Sequence, residues 1–146
     1  MNFSKSIKVS GRLLSFDQPR VMGVMNVTKD SFYAKSRVVN EDDILNRAGE
    51  MLKEGADILD VGGYSSRPGA KEVPIKEEIG LTSYAIELIK SHFPDALISI
   101  DTFRSEVAEA AMRAGATIVN DISAGTLDPK MVDFITANQV PYIAMH

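Results

Sequence analysis

The chain has 146 residues, 20 acidic and 16 basic, for a formal net charge of −4. That charge argues against a broad nucleic-acid surface, which needs a basic face. The absence of cysteine excludes a disulfide frame, a thiolate metal site and a cysteine nucleophile, and no apolar run approaches the ~20 residues of a membrane span or opens the chain as a signal peptide. The expectation is a cytoplasmic protein of one domain, without nucleic-acid or membrane partners. By length alone a small doubly wound α/β domain fits better than a (β/α)8 barrel of about 250 residues.

Residues 6–9 and 12–16 flank Ser10-Gly11 and read as a β-hairpin. Residues 21–27 form an apolar run with a polar end. A helix over 41–54 follows, with Asn40 as N-cap, Asp42 and Asp43 in its first turn and Gly55 at its end. A strand at 57–62 leads into a loop at 63–74 that carries Gly63, Pro68, Gly69 and Pro74. The next helix covers about 75–92 and stops before Pro94. Strand 97–101, helix 104–114 ended by Gly115, and strand 117–121 come next. Asp128-Pro129 opens a fourth helix, and a last strand covers 140–145. This β-α alternation predicts a parallel sheet with right-handed crossovers.

Ligands of parallel α/β folds sit at the carboxyl ends of the strands, and here those ends are polar. Asn26 closes the first strand and Asp101-Thr102 the third. Asn120-Asp121 closes the fourth, and His146 follows the fifth. Each has a structural alternative: Asp101-Thr102 as a helix cap, Asn120-Asp121 as an Asx turn. Asp60 lies inside the second strand, where a buried structural carboxylate competes with a functional one. His92 at a helix end is assigned no function. The loop G-G-Y-S-S-R-P-G (62–69) combines glycines, hydroxyls and an arginine, a composition suited to an anion. Neither G-x-G-x-x-G nor G-x-x-x-x-G-K-[ST] occurs, and the seven methionines read as packing residues.

V-M-G-V-M-N-V-T-K-D-S-F (21–32), D-V-G-G-Y-S-S-R-P-G-A (60–70), I-S-I-D-T (98–102), I-V-N-D-I (118–122) and A-M-H (144–146) together resemble dihydropteroate synthases, in order and spacing. The resemblance implies the N-terminal part of a (β/α)8 barrel over residues 1–146, with about five strands, four helices and a hairpin at about 6–16. It implies condensation of a dihydropterin pyrophosphate with p-aminobenzoate, release of pyrophosphate, a Mg²⁺ cofactor, inhibition by sulfonamides and a homodimer.

Residue by residue, the resemblance gives Asn26 a role with pyrophosphate and the metal. Ser66 and Arg67 contact substrate near the pyrophosphate, and Asp101 and Asn120 bind the pterin. Phe32 and Pro68 lie around the aminobenzoate pocket, and Met145 joins the substrate-binding set. Asn26, Arg67 and Asp101 form the implied catalytic group. Lys29 and Tyr64 depart from the family's usual proline and glutamate.

The family's later motifs, a D-P-G-F-G strand, an S-R-K loop and an R-x-H strand, do not occur in these residues, so the chain alone is expected to be inactive. A pterin-binding methyltransferase domain and a non-catalytic half-barrel that acts as a binding or assembly module are the competing readings; the isolated fragment is expected either to pair with a second copy or to be poorly stable.

Overall fold

A computed structural model describes residues 5–28, 40–64 and 72–145. The hairpin pairs β1 (Ser6–Val9) with β2 (Arg12–Ser15), antiparallel, through Ser10 and Gly11. Both turn residues have positive φ, +48° and +76°, the backbone that a two-residue type I′ turn requires. Five strands then form one parallel sheet in strict sequence order: β3 (Met22–Asn26), β4 (Ile58–Gly62), β5 (Leu97–Asp101), β6 (Ile118–Asp121) and β7 (Tyr142–Ala144). Between them lie α1 (Glu41–Lys53), α2 (Ile75–His92), α3 (Ser105–Ala114) and α4 (Lys130–Asn138). Among the described residues, no helix is long and apolar enough to cross a membrane.

The helices follow from their ends as much as from their faces. Glu41, Asp42 and Asp43 stand in the first turn of α1 and Lys53 in its last, each sign matched to the helix dipole. Asn40 takes the N-cap position, but its side chain caps nothing, which corrects the sequence expectation. Three helices close with the same backbone motif. In α1 the N–H of Ala56 reaches the Met51 carbonyl at 2.9 Å, in α3 Ala116 reaches Ala111 at 3.0 Å, and in α4 Val140 reaches Ile135 at 3.1 Å. The left-handed residue this motif needs is Gly55, Gly115 and Gln139 in turn. Asp128 accepts from the N–H of Lys130 at 3.0 Å and from that of Ser105 at 2.7 Å, so it caps two helices.

Alternation along the strands sorts side chains into two cores. Met25, Leu59, Val61, Ile98, Ile100 and Val119 face the helices and pack against Ile44, Ala48, Ala85, Ile86, Ile89 and Val107. On the other face, the lower ends of the strands contribute Ile58, Ile118, Met22, Leu97 and Ile143, and Val9 of the hairpin covers them. The hairpin is therefore a floor beneath the inner face of the sheet. An apolar cavity of about 350 Å³ opens between it and the strands, lined by Ile7, Phe16, Met22, Ile58, Ile118 and Ile143.

Candidate functional site

Moving up the inner face, the side chains change from apolar to polar. Parallel register sets Asp60 opposite Ser99, and one step higher sets Asn26 opposite Gly62, Gly62 opposite Asp101, and Asp101 opposite Asn120. Asp60, 4% exposed, accepts from the Ser99 hydroxyl at 2.5 Å through Oδ1. It accepts from the Asn120 Nδ2 amide at 3.0 Å through Oδ2. Asn120 is 8% exposed, and its own Oδ1 accepts no hydrogen bond. A buried carbonyl oxygen without a donor is costly, so this atom marks a place where a partner belongs.

At two adjacent strand ends the polar pair is divided between fold and site. Thr102 donates to Glu78 Oε1 at 3.0 Å and accepts from the Arg104 N–H at 3.2 Å. The Asp101 side chain beside it has no hydrogen-bond partner among the described residues. Asp121 is fully buried and accepts from the N–H of Ser123 and Gly125, the Ser123 hydroxyl and the Tyr142 hydroxyl, all between 2.7 and 2.8 Å. The Asx-turn alternative is thus correct for Asp121, while Asn120 turns its amide to the inner face. Tyr142 is pushed well above the usual tyrosine range, because burial and the Asp121 carboxylate both oppose its ionisation.

Asp101 is pushed up to about 6, chiefly by burial and then by the negative charges of Asp60, Glu78 and Asp121. Burial also raises Asp60, against the opposing hydrogen bonds from Ser99 and Asn120. The upper inner face is therefore an acidic, acceptor-rich surface that favours a ligand edge carrying N–H donors.

The two glycines after Asp60 and Val61 serve close packing here. A Cβ on Gly62 would stand 3.3 Å from the Asp101 Cβ and 3.4 Å from its Oδ2. One on Gly63 would stand 2.9 Å from the Thr82 Cγ2 and 3.2 Å from the Glu78 Cγ. Gly62 makes room for the Asp101 side chain, and Gly63 lets α2 approach the sheet.

Four contributors lie outside the sequence reading. Ser99 is one; its signal was a polar residue between Ile98 and Ile100 in a buried strand. Glu78, wholly buried on α2, holds Arg104 Nη1 at 2.7 Å. Its signal was its place on the helical stripe with Thr82, Ala85 and Ile89. The Arg104 guanidinium also donates to the Val73 carbonyl at 2.7 Å and lies 5.1 Å from the ring centres of both Tyr64 and Phe103. The Tyr64 and Phe103 rings meet edge to face at 5.4 Å. Tyr64, noted as a departure, is thus one wall of an arginine clasp, which also holds Val73.

Asn26 ends β3 with an exposed side chain, and Met145 is half-exposed beyond β7. Phe32, Ser66, Arg67, Pro68, Lys29 and His146 lie outside the described residues. Among the described residues no three acidic or histidine side chains converge on a metal position. Asn26 fits Mg²⁺ as a single neutral oxygen ligand, since this ion keeps waters and takes most of its remaining oxygens from substrate phosphates.

Residues 22–146 match the family described as Pterin binding enzyme. The chain is 44% identical over 128 residues to dihydropteroate synthase of Staphylococcus haemolyticus, covering 87% of this chain and 47% of that protein. It is 40% identical over 143 residues to the mitochondrial folate synthesis bifunctional protein of Arabidopsis thaliana, covering 96% and 26%. In structure it is similar to Xanthomonas albilineans dihydropteroate synthase with 4-aminobenzoic acid, with a TM-score of 0.88 and 38% identity, covering 99% of this chain and 52% of that one.

The chain belongs to the pterin binding enzyme family. Its architecture is the N-terminal part of a (β/α)8 barrel, and its first-half motifs are those of dihydropteroate synthases. It spans about half the length of the solved structures, and 47% or less of the two curated relatives named.

Proposed function

We propose that the full-length protein carrying this chain joins a dihydropterin pyrophosphate to p-aminobenzoate and releases pyrophosphate. The observation that carries the reading is the buried Asp60–Asn120 pair beside Asp101, with one buried acceptor left unpaired. A pterin is flat and presents adjacent N–H donors, so a carboxylate and a carbonyl oxygen set side by side fix it in plane. The similarity to dihydropteroate synthases supports the same substrate.

In this reading Asp101 and Asn120 hold the pterin and orient its reactive methylene toward the upper rim. Ser66 and Arg67 hold the pyrophosphate, with the arginine neutralising charge as the leaving group departs. Phe32, Pro68 and Met145 border the aminobenzoate. Asn26 would hold Mg²⁺, which when bound supplies positive charge to the departing pyrophosphate. As the C–O bond to pyrophosphate breaks, the methylene becomes electron-poor and the aniline nitrogen attacks it. The arylammonium so formed then gives its proton to solvent, a step that asks little of a general base because an arylammonium is a strong acid at neutral pH. A cytoplasmic location, a homodimer and a single partial domain over residues 1–146 belong to the same proposal, with fractionation and sedimentation as their tests.

Turnover of the pyrophosphate ester with p-aminobenzoate by the full-length protein is the test. Formation of dihydropteroate and pyrophosphate is expected, and the 146-residue chain alone should form neither. A full-length protein that is inactive here but consumes methyltetrahydrofolate would overturn the proposal in favour of a methyl transferase.

A further inference from the structure

We infer that Asp60 is a positioning residue that fixes the polarity of Asn120, and through it the donor pattern a heterocycle must present. An asparagine amide can turn over and exchange its N–H₂ for its carbonyl oxygen at little cost when both sides face similar partners. Here the two sides differ. Asp60 is an acceptor at both oxygens, and Ser99 already occupies Oδ1 by donating to it at 2.5 Å. The remaining Oδ2 can take only a donor, so Asn120 must turn Nδ2 toward it, at 3.0 Å. That leaves Asn120 Oδ1 as the acceptor on the other side of the amide, buried and without a partner.

Ser99 thereby fixes which carboxylate oxygen is used, Asp60 fixes which way the amide points, and Asn120 displays the result. A ligand edge with an N–H at this point gains a buried hydrogen bond. An edge with a carbonyl or methyl group there leaves the Asn120 oxygen unpaired and is rejected. Asp60 itself need not touch the ligand, and its role differs from that of Asp101, whose side chain has no hydrogen-bond partner among the described residues and lies on the same face of the sheet. The inference rests on the pterin reading of the site.

The test measures equilibrium affinity of the full-length protein for 6-hydroxymethylpterin. Two analogues serve as comparison: 6-hydroxymethyllumazine, with a carbonyl in place of the 2-amino group, and the N3-methyl pterin. The unsubstituted protein should prefer the pterin over at least one analogue by about tenfold or more. In Asp60→Asn, residue 60 can offer Asn120 either an oxygen or an N–H. The amide is then no longer held one way, and the preference should fall to within about threefold. Asn120→Ala should lose the preference as well, and the double variant should lose no more than Asn120→Ala alone, because one residue acts through the other.

Retention of the full preference in a folded Asp60→Asn protein would overturn the inference, as would additive losses in the double variant. If the unsubstituted protein binds none of the three compounds, the pterin reading fails first, a distinct outcome. Should Asp60→Asn not fold, exchange of the Asn120 side-chain amide protons in the ligand-free protein decides. Slow exchange of the proton bonded to Asp60 is expected, and equal fast exchange of both would show a freely turning amide and overturn the inference.

Discussion

Glu78 and Arg104 form an ion pair at 2.7 Å in which the glutamate is wholly buried and the arginine reaches out to both Val73 and Tyr64. Burial raises Glu78, while the Thr102 hydroxyl and the Arg104 charge lower it. Removing either member of such a pair strands the other. Arg104→Ala and Glu78→Ala should each cost about 3–5 kcal/mol, read as a fall in the midpoint of chemical denaturation. Arg104→Lys should recover part of that loss. A single ammonium can keep Glu78, but it cannot also serve Val73 and fill the space between Tyr64 and Phe103.

Asp101 sets a pH dependence of definite sign. Its folded value of about 6 stands above its ordinary 3.8, so the folded state holds the extra proton between those values. Stability should therefore fall as pH rises from about 4 to 6 and stay reduced above that. Asp101→Asn should remove this dependence and stabilise the protein at pH 7, by at most about 3 kcal/mol. Pterin affinity should weaken as pH drops below about 6, where the protonated carboxyl accepts less well, and should be lost in Asp101→Asn. Thermal unfolding and titration across pH 4.5–8 check both.

Asn120 and Asp121 are neighbours with opposite expected phenotypes. Asp121→Ala removes the acceptor of four hydrogen bonds and should destabilise by about 3 kcal/mol or more. Asn120→Ala removes one bond and one unpaired oxygen, so stability should move by only about 1 kcal/mol, while pterin affinity falls to the level of the analogues. Unfolding curves and affinities of the two variants, taken side by side, check the division.

Gly62→Ala should act on the site through Asp101. The added methyl would meet the Asp101 side chain at 3.3–3.4 Å, so that side chain must give way by a few tenths of an ångström. An increase of several-fold in KM for the pterin substrate is expected, with kcat changed less, since a displaced carboxylate weakens binding before it alters the leaving group.

Gln139 occupies a left-handed position at +50° where two other helices use glycine. Gln139→Gly should stabilise by up to about 1 kcal/mol, measured by denaturation, without affecting ligand affinity.

The strand and helix order was legible because each element carried its own local signal: an apolar run with a polar end, or a helical stripe closed by glycine or proline. The boundaries of α2 and β5 agree with the sequence reading to the residue. Asp101 and Asn120 were legible because strand ends are where such folds place ligands. Which member of each strand-end pair served the fold was not legible. Local turn bonds were open to either member of each pair, and what commits Thr102 and Asp121 to the fold is a partner that only the tertiary structure supplies, Glu78 and Tyr142 respectively. Ser99 and Asp60 meet only because parallel pairing sets them side by side, 39 positions apart in sequence. Glu78 shares a helical stripe with Thr82, Ala85 and Ile89, but the partners that make its burial possible, Arg104 and Thr102, come from the next strand end and loop.

The order of the strands also bears on how the chain comes to be folded. Each strand from β4 onward lies against the strand that precedes it in the sequence. During synthesis every newly emerged strand and helix thus finds its docking edge already made, and no strand must wait for a distant one to form its first ladder. Folding can therefore keep pace with the ribosome one unit at a time, and the polar row that binds the ligand is assembled from left to right in the same order.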